Sequence, residues 1–315
     1  MRIRQAFSAG ILAIIPALTG CLSHTHSVLK TRLPDVVLNA TLDQLLKQVD
    51  ERYGAIQSMT ATVEIVVSTG GASQGEVKEY LPLGRYIVIG KPEQIRVIIE
   101  LPLGAGNVLD MVSDGKTFKM LIPHRDCAIV GSDTVINTSQ KGLYSLRPAV
   151  ILDSLLIRGL RPGQVVSMTQ DSRDVPDPKT RKDVIQEPDY DIEFLSQPQG
   201  NVARTLRVIH IGRTNLLPYR QDIYNADGKV ETQAFYSNYK TFGDINFPTK
   251  IVIQRPLDEL GLTITISKAT FNQELLPDQF ALDIPDTTAH ILNMDDPAGA
   301  SVKDPCAESG PQSPH

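Results

Sequence analysis

The chain has 315 residues, 31 basic against 36 acidic, for a formal net charge of −5, with no Trp and 5% aromatic residues. Residues 1–20 hold two Arg and no acid, so the remainder is more acidic still. That balance argues against a nucleic-acid partner, which needs a basic face for phosphates. The scarcity of aromatic rings disfavours surfaces that stack on sugars or bases.

Arg2 and Arg4 precede an apolar run from Phe7 to Leu18, which ends in Leu18, Thr19, Gly20 and Cys21. A basic start, a short apolar run and small residues at a cut site describe a secretory signal over 1–20. The run is too short for a membrane span, which needs roughly 20 apolar residues. Leu-Thr-Gly-Cys resembles the lipobox of bacterial lipoproteins, which implies that Cys21 is acylated and anchors the chain to a membrane without spanning it. Leu22 follows the Cys, and the absence of Asp there implies sorting to the outer membrane, facing the periplasm.

Residues 21–40 have no clear period and are expected to form a tether, in which His24 and His26 are solvated rather than metal ligands. Thr41 and Gln44 form a capping box. Leu42, Leu45, Leu46, Val49, Tyr53 and Ile56 then follow helical spacing to about Ser58. A strand from Ala61 to Ser68 comes next, and the stretch Tyr86–Pro123 holds four apolar runs split by Gly, Pro and Asp-Gly breakers, the signature of strands and hairpins. These runs hardly alternate, so both faces of their sheet should be covered, by protein or by a ligand. Residues 143–158 predict a second helix, apolar over most of its circumference, that is buried or closes over an apolar space. Asp171–Pro188 loses the hydrophobic pattern and is expected to be a mobile, solvated loop.

A second series of strands is expected at Asp191–Leu195, Thr205–Ile211, Pro218–Tyr224, Val230–Tyr239, Pro248–Gln254 and Leu262–Ala269, joined by hairpin turns. A last short strand should end at Pro285. Residues 293–315 have almost no core-forming side chains and are expected to be disordered. One domain thus spans 41–292, mainly β, with an open antiparallel half-barrel, an N-terminal helix and a lid helix.

That order of elements resembles the LolA/LolB-like superfamily of periplasmic lipid and lipoprotein carriers. Val112-Ser-Asp-Gly-Lys-Thr-Phe118 is similar to a turn of that family, Gly90-Lys91-Pro92 to its basic-Pro pair, and Phe280-Ala-Leu-Asp-Ile-Pro285 to its C-terminal ending. The resemblance implies that Lys91 makes the lid contact, although Lys lacks the planar fork of the Arg found in the soluble carrier. An anchored member looks more like the receptor LolB, which implies a soluble periplasmic carrier as partner and an apolar loop entering the membrane. Leu81-Pro-Leu83 and Leu101-Pro-Leu-Gly-Ala-Gly106 are the counterparts of such a loop.

Signatures of catalysis are few: a phosphate loop and His-Glu-x-x-His do not occur, Gly71-Ala-Ser-Gln-Gly75 fits Gly-x-Ser-x-Gly by letter only, and no cofactor or metal site is expected. Cys127 beside His124 reads as a strand-edge Cys and a turn His rather than a nucleophile and base. Whether Cys127 pairs with Cys306 stays open, since an oxidising compartment favours it and the tail position of Cys306 does not. Glu187, Asp189, Asp191 and Glu193 read as a solvated strand face. The remaining chemistry is apolar capture. Val63, Ile65, Val67, Val97, Ile99, Phe118, Met120, Ile264 and Ile266, with Ile251 and Ile253, would share one face of the sheet. With the lid residues Ile151 and Leu155 they could line a slot for acyl chains. The expectation is a non-enzymatic, membrane-anchored lipoprotein that binds or delivers lipid or lipoprotein acyl chains; the alternative is an envelope sensor or scaffold with a filled core.

Overall fold

The computed structural model describes residues 31–80, 82–101, 106–133, 147–177, 179–180, 183–296 and Cys306. The acylation candidate Cys21, His24, His26, Leu81, residues 102–105 and the start of the expected second helix lie outside them. The chain divides into two units, one of residues 1–35 and 172–187, the other of residues 36–171 and 188–315.

In the small unit β1 (Thr31–Arg32) pairs in parallel with the start of β10, Thr31 opposite Val184 and Arg32 opposite Ile185. Asp177 is buried, and Arg32 Nε donates to its carboxylate at 2.9 Å. Arg173 pairs with Glu187 at 2.8 Å. The expected loop at Asp171–Pro188 is therefore corrected: it is the paired ends of β9 (Val165–Pro176) and β10 (Val184–Leu195). Hydrophobic periodicity could not reveal it, because only Val166 and Met168 at the start of β9 pack on a core cluster, and its later part is polar and largely exposed.

The large unit is mostly one open sheet. Its first helix, α1 (Leu42–Ala55), begins at the expected capping box: Gln44 N donates to Thr41 Oγ1 and Thr41 N to Gln44 Oε1. It stops short of Ser58 because Ile56 is already extended and β2 (Ser58–Gly71) starts there. β3 (Glu76–Glu79) pairs with β2. The first series continues with β4 (Leu83–Gly90), β5 (Gln94–Glu100), β6 (Asn107–Ser113), β7 (Thr117–Ile122) and β8 (Cys127–Ser132). Asp114-Gly115 makes the β6–β7 turn, with Gly115 at φ +88° where a side chain would be strained. The second helix is shorter than expected: α2 (Pro148–Leu155) unwinds at Leu156.

The second series is β11 (Thr205–Gly212), β12 (Pro218–Tyr224), β13 (Val230–Phe242), β14 (Ile245–Arg255) and β15 (Leu260–Phe271). Each strand pairs antiparallel with the next, and β15 pairs with β2, giving the order β10-β11-β12-β13-β14-β15-β2-β4-β5-β6-β7-β8. The sheet does not close on itself, as expected for the half-barrel. Its inner face carries the main core, in which Met59, Ile87, Ile95, Ile251 and Ile264 pack with Ile151, Leu152 and Leu155 of α2. A second cluster joins Leu45 and Val49 of α1 to Tyr190, Ile192, Phe194, Ile209 and Ile211.

The covering of the opposite face of the first series is also settled, and it is protein. A 3-10 turn at Pro277–Phe280, followed by chain without strand character, replaces the expected strand ending at Pro285. Arg96 Nη1 donates to Gln279 O at 3.2 Å, Lys119 Nζ to Leu282 O at 3.1 Å, and the Phe280 ring lies against Gly90. Val88 and Val112 face this segment's side of the sheet and are buried. The chain then forms β16 (His290–Asn293), parallel to β8, and buries Met294 in the core. Packed structure thus runs beyond 292 into the stretch expected to be disordered, and Cys306 forms a disulfide with Cys127. That pairing removes Cys127 as a free thiol.

The expected tether is likewise held in part. Leu38 N donates to Arg213 O at 2.7 Å, and Ala40 N to the Tyr190 hydroxyl at 3.1 Å.

Candidate functional site

An apolar cleft of about 340 Å³ opens where the last turns of α1, the end of α2 and the β13–β14 hairpin meet. Each wall follows from local sequence. The last turns of α1 present Val49 and Tyr53, spaced to share one helix face, and the extended Ile56 follows them. The unwound end of α2 presents Leu155, Leu156 and Ile157. Opposite them stand Tyr236, Tyr239, Ile245 and Phe247, on strands that turn tightly at Gly243, φ +60°.

Polar side chains share the lining: Gln48, Glu51, Arg52, Asp244 and Asn246 stand beside the hydroxyls of Tyr236 and Tyr239. Tyr239 Oη donates to Pro218 O at 2.8 Å. The Tyr236 hydroxyl is buried and has no hydrogen-bond partner among the described residues. Burial holds both phenols above their usual pKa, so they stay protonated donors. Arg52 and Asp244 stand at the rim. A buried hydroxyl left unpaired costs roughly 1–3 kcal/mol, which a ligand oxygen reaching Tyr236 would recover.

The sequence-predicted lining residues fall in one place, though a different one. Val63, Ile65, Val67, Val97, Ile99, Phe118, Met120, Ile264 and Ile266 do share the inner face of the sheet, in one cluster with Ile151 and Leu155. The register shows it directly: Ile65 lies opposite Ile264, and Ile264 opposite Ile251. They fill the core against α2, and of the eleven only Leu155 reaches the cleft. Lys91 contacts α1 rather than α2. Its ammonium sits 3.5 Å from the centroid of the Tyr53 ring and donates to Tyr53 O. Burial, and then the neighbouring Arg158 charge, hold the Lys91 pKa below its ordinary value. Leu101 is exposed at the end of β5, and Leu83 lies half-buried in β4.

The acidic strand of β10 is not a solvated face. Asp189 is buried and accepts from the Tyr219 hydroxyl, and burial raises its pKa. Asp191 accepts from His210 Nδ1 at 2.6 Å, while His210 Nε2 lies 3.4 Å from Asp222. Arg220 holds Asp222 through two bonds of 2.8 and 2.6 Å, and Gln233 adds a third at 3.2 Å. Burial opposes the imidazolium, but the bonds to Asp191 and Asp222 outweigh it and push the His210 pKa up to about 9. Period-2 alternation placed Asp189, Asp191 and Glu193 on one face, but their partners come from other strands: Tyr219 of β12, His210 of β11 and Ser167 of β9. Only knowledge of the strand register could supply them. A protonated His locked between two carboxylates is a structural cation and lacks the open position a base needs.

Among the described residues no helix is long and apolar enough to cross a membrane, and no group of three or more His, Cys, Asp or Glu could hold a metal ion.

Fold and cleft together define an open antiparallel sheet with an α1-flanked apolar opening and a packed α2 lid. No family model matches the chain, and no curated protein does. In structure it is similar to a LolA superfamily protein from Nitrosomonas europaea, at TM-score 0.46 and 15% identity over 78% of this chain and 99% of that one. A DUF1329 family protein from Desulfovibrio piger is similar at TM-score 0.47 and 14% identity, over 75% of this chain and 94% of that one. An outer membrane lipoprotein-sorting protein domain from Vibrio parahaemolyticus follows at TM-score 0.43 and 10% identity, over 76% and 94%.

Proposed function

We propose that the protein is a membrane-anchored, non-enzymatic lipoprotein that binds or delivers acyl chains of lipids or lipoproteins, taking one chain into the cleft beside α1. The observation that carries this reading is the cleft itself: about 340 Å³, walled mainly by aliphatic and aromatic side chains with Gln48, Glu51, Arg52, Asp244 and Asn246 among them, and with the Tyr236 hydroxyl unpaired among the described residues. Ligand sites typically measure roughly 300–1,000 Å³ and combine apolar walls with a few placed polar groups. Ten buried methylenes yield on the order of 8 kcal/mol before the costs of association are subtracted. Tyr236 would then donate to the ester or amide oxygen at the head of the chain. Anchoring through Cys21 and a place at the outer membrane, facing the periplasm, belong to the same proposal, as does hand-over from a soluble periplasmic carrier.

A second reading has an observation of its own. The inner face of the sheet is filled by side chains, with Ile65, Val97, Phe118 and Ile264 buried, as a sensor or scaffold would require. Native mass spectrometry of residues 22–315, expressed without the anchor, separates the two. An acyl-bearing molecule that co-purifies, and is lost in the rim variants Ile157→Glu and Ile245→Glu, supports the carrier. Bare protein that also refuses added fatty acid supports the scaffold.

A further inference from the structure

The end of the sheet that carries the N-terminus of β11 and the C-terminus of β12 holds a second cavity of about 260 Å³, with a different lining. Arg158, Arg161 and Arg207 converge there, with Asp153, Gln164, Gln221 and Tyr224 completing the polar wall. Among the described residues Arg207 makes no ion pair. Its guanidinium lies 3.8 Å over the Phe194 ring and donates to Arg158 O and Gly159 O, so backbone carbonyls fix its plane. Burial, and then the Arg161 charge, lower its pKa to about 10 against the opposing charge of Asp153. Asp153 is shared: Arg158 Nε lies 3.1 Å and Arg161 Nη2 3.8 Å from the same oxygen. Arg158 also reaches Glu93 at 3.4 Å.

The lining therefore brings three guanidiniums to one carboxylate, and the most buried of the three feels Asp153 only through space, without an ion pair among the described residues. Gln221 supplies an independent sign of a missing partner. It is 2% exposed, its Nε2 donates to Asp153 O at 3.1 Å, and its Oε1 has no hydrogen-bond partner among the described residues. Planar guanidiniums bind phosphate bidentately. A lone buried acceptor beside them calls for a ligand that also brings a hydroxyl.

We propose that this cavity is a binding site for a phosphoryl group bearing a hydroxyl, with Arg207 and Arg161 holding the phosphoryl oxygens and Gln221 Oε1 accepting from the hydroxyl. The proposal stands apart from the acyl-chain reading, since none of these charged groups lines the apolar cleft. A phospholipid headgroup and a free phosphate ester share this chemistry.

The test is calorimetric titration of the full chain in non-ionic detergent with inorganic phosphate, glycerol phosphate, dioctanoyl-phosphatidylglycerol and dioctanoyl-phosphatidylcholine. Glycerol phosphate is expected to bind at least threefold more tightly than inorganic phosphate, because only its carbon-borne hydroxyls extend past the phosphoryl oxygens toward Gln221. Preference for phosphatidylglycerol over both it and phosphatidylcholine assigns the headgroup of a lipid; preference for glycerol phosphate assigns a soluble ester. Arg161→Gln removes a half-exposed guanidinium that bonds no backbone, and should weaken binding tenfold or more. Asp153→Asn removes the competing carboxylate and should tighten binding several-fold, which a purely structural role for the cluster would not produce. No heat with either phosphate compound, or unchanged affinity in both variants, overturns the proposal.

Discussion

His210 offers a sharp check on the electrostatics of the second strand series. Its imidazolium is held between Asp191 and Asp222, with the side chain 14% exposed. The folded-state pKa of about 9, against an ordinary 6.5, makes it a group raised on folding. Its contribution is therefore fully present below about pH 6.5 and is lost as the pH rises through about 9. A rise of that size corresponds to about 3 kcal/mol at 1.36 kcal/mol per pH unit. Urea unfolding of the wild type and of His210→Gln at pH 6 and pH 10 measures it. Relative to the variant, the wild type should lose about 3 kcal/mol between those values. An NMR titration should place the His210 ring protons in the same window. A midpoint near 6.5, or a wild-type-to-variant difference independent of pH, would refute the clamp.

Two further substitutions probe the first series. Arg96 binds Asp110 through bonds of 3.0 and 2.8 Å, and Asp110 is 5% exposed. Arg96→Met strands that carboxylate and should cost about 3–5 kcal/mol in denaturant unfolding, whereas the double variant with Asp110→Leu should regain most of it. The Cys127–Cys306 bond closes a loop of 179 residues. Chain entropy makes Cys306→Ser destabilising by up to about 5 kcal/mol, measurable as a lower urea midpoint that a reducing agent reproduces in the wild type.

What could be read from residues alone follows physical lines. Features set by short-range pattern were legible: the capping box at Thr41 and Gln44, the Asp114-Gly115 turn, the extent of β12, and the shared inner face of Val63, Ile65, Ile264 and Ile266. Features set by a partner distant in sequence were not. β9 has an apolar face only at Val166 and Met168, and its later part is polar, so little local pattern marks it as a strand. The acidic residues of β10 looked solvated because their partners His210 and Tyr219 lie on other strands. The cleft was displaced for a similar reason. Sequence identified which side chains face inward, but α2 packs onto them, and the free space appears where α1 and the β13–β14 hairpin diverge. The weak alternation of β4 and β5 raised the question of what covers their other face, and the answer lay nearly two hundred residues away, in the segment around Gln279 and Leu282.

The measurement that bears most directly on acyl-chain capture is NMR of methyl-labelled protein, lacking residues 1–21, titrated with a spin-labelled fatty acid. Ile157, Ile245 and Leu155 line the cleft, and Val63, Ile65 and Val97 lie in the filled core. The account predicts paramagnetic broadening concentrated on the first set and a chemical-shift change at Tyr236. No broadening at saturating ligand, or broadening centred on Val63, Ile65 and Val97, would contradict it.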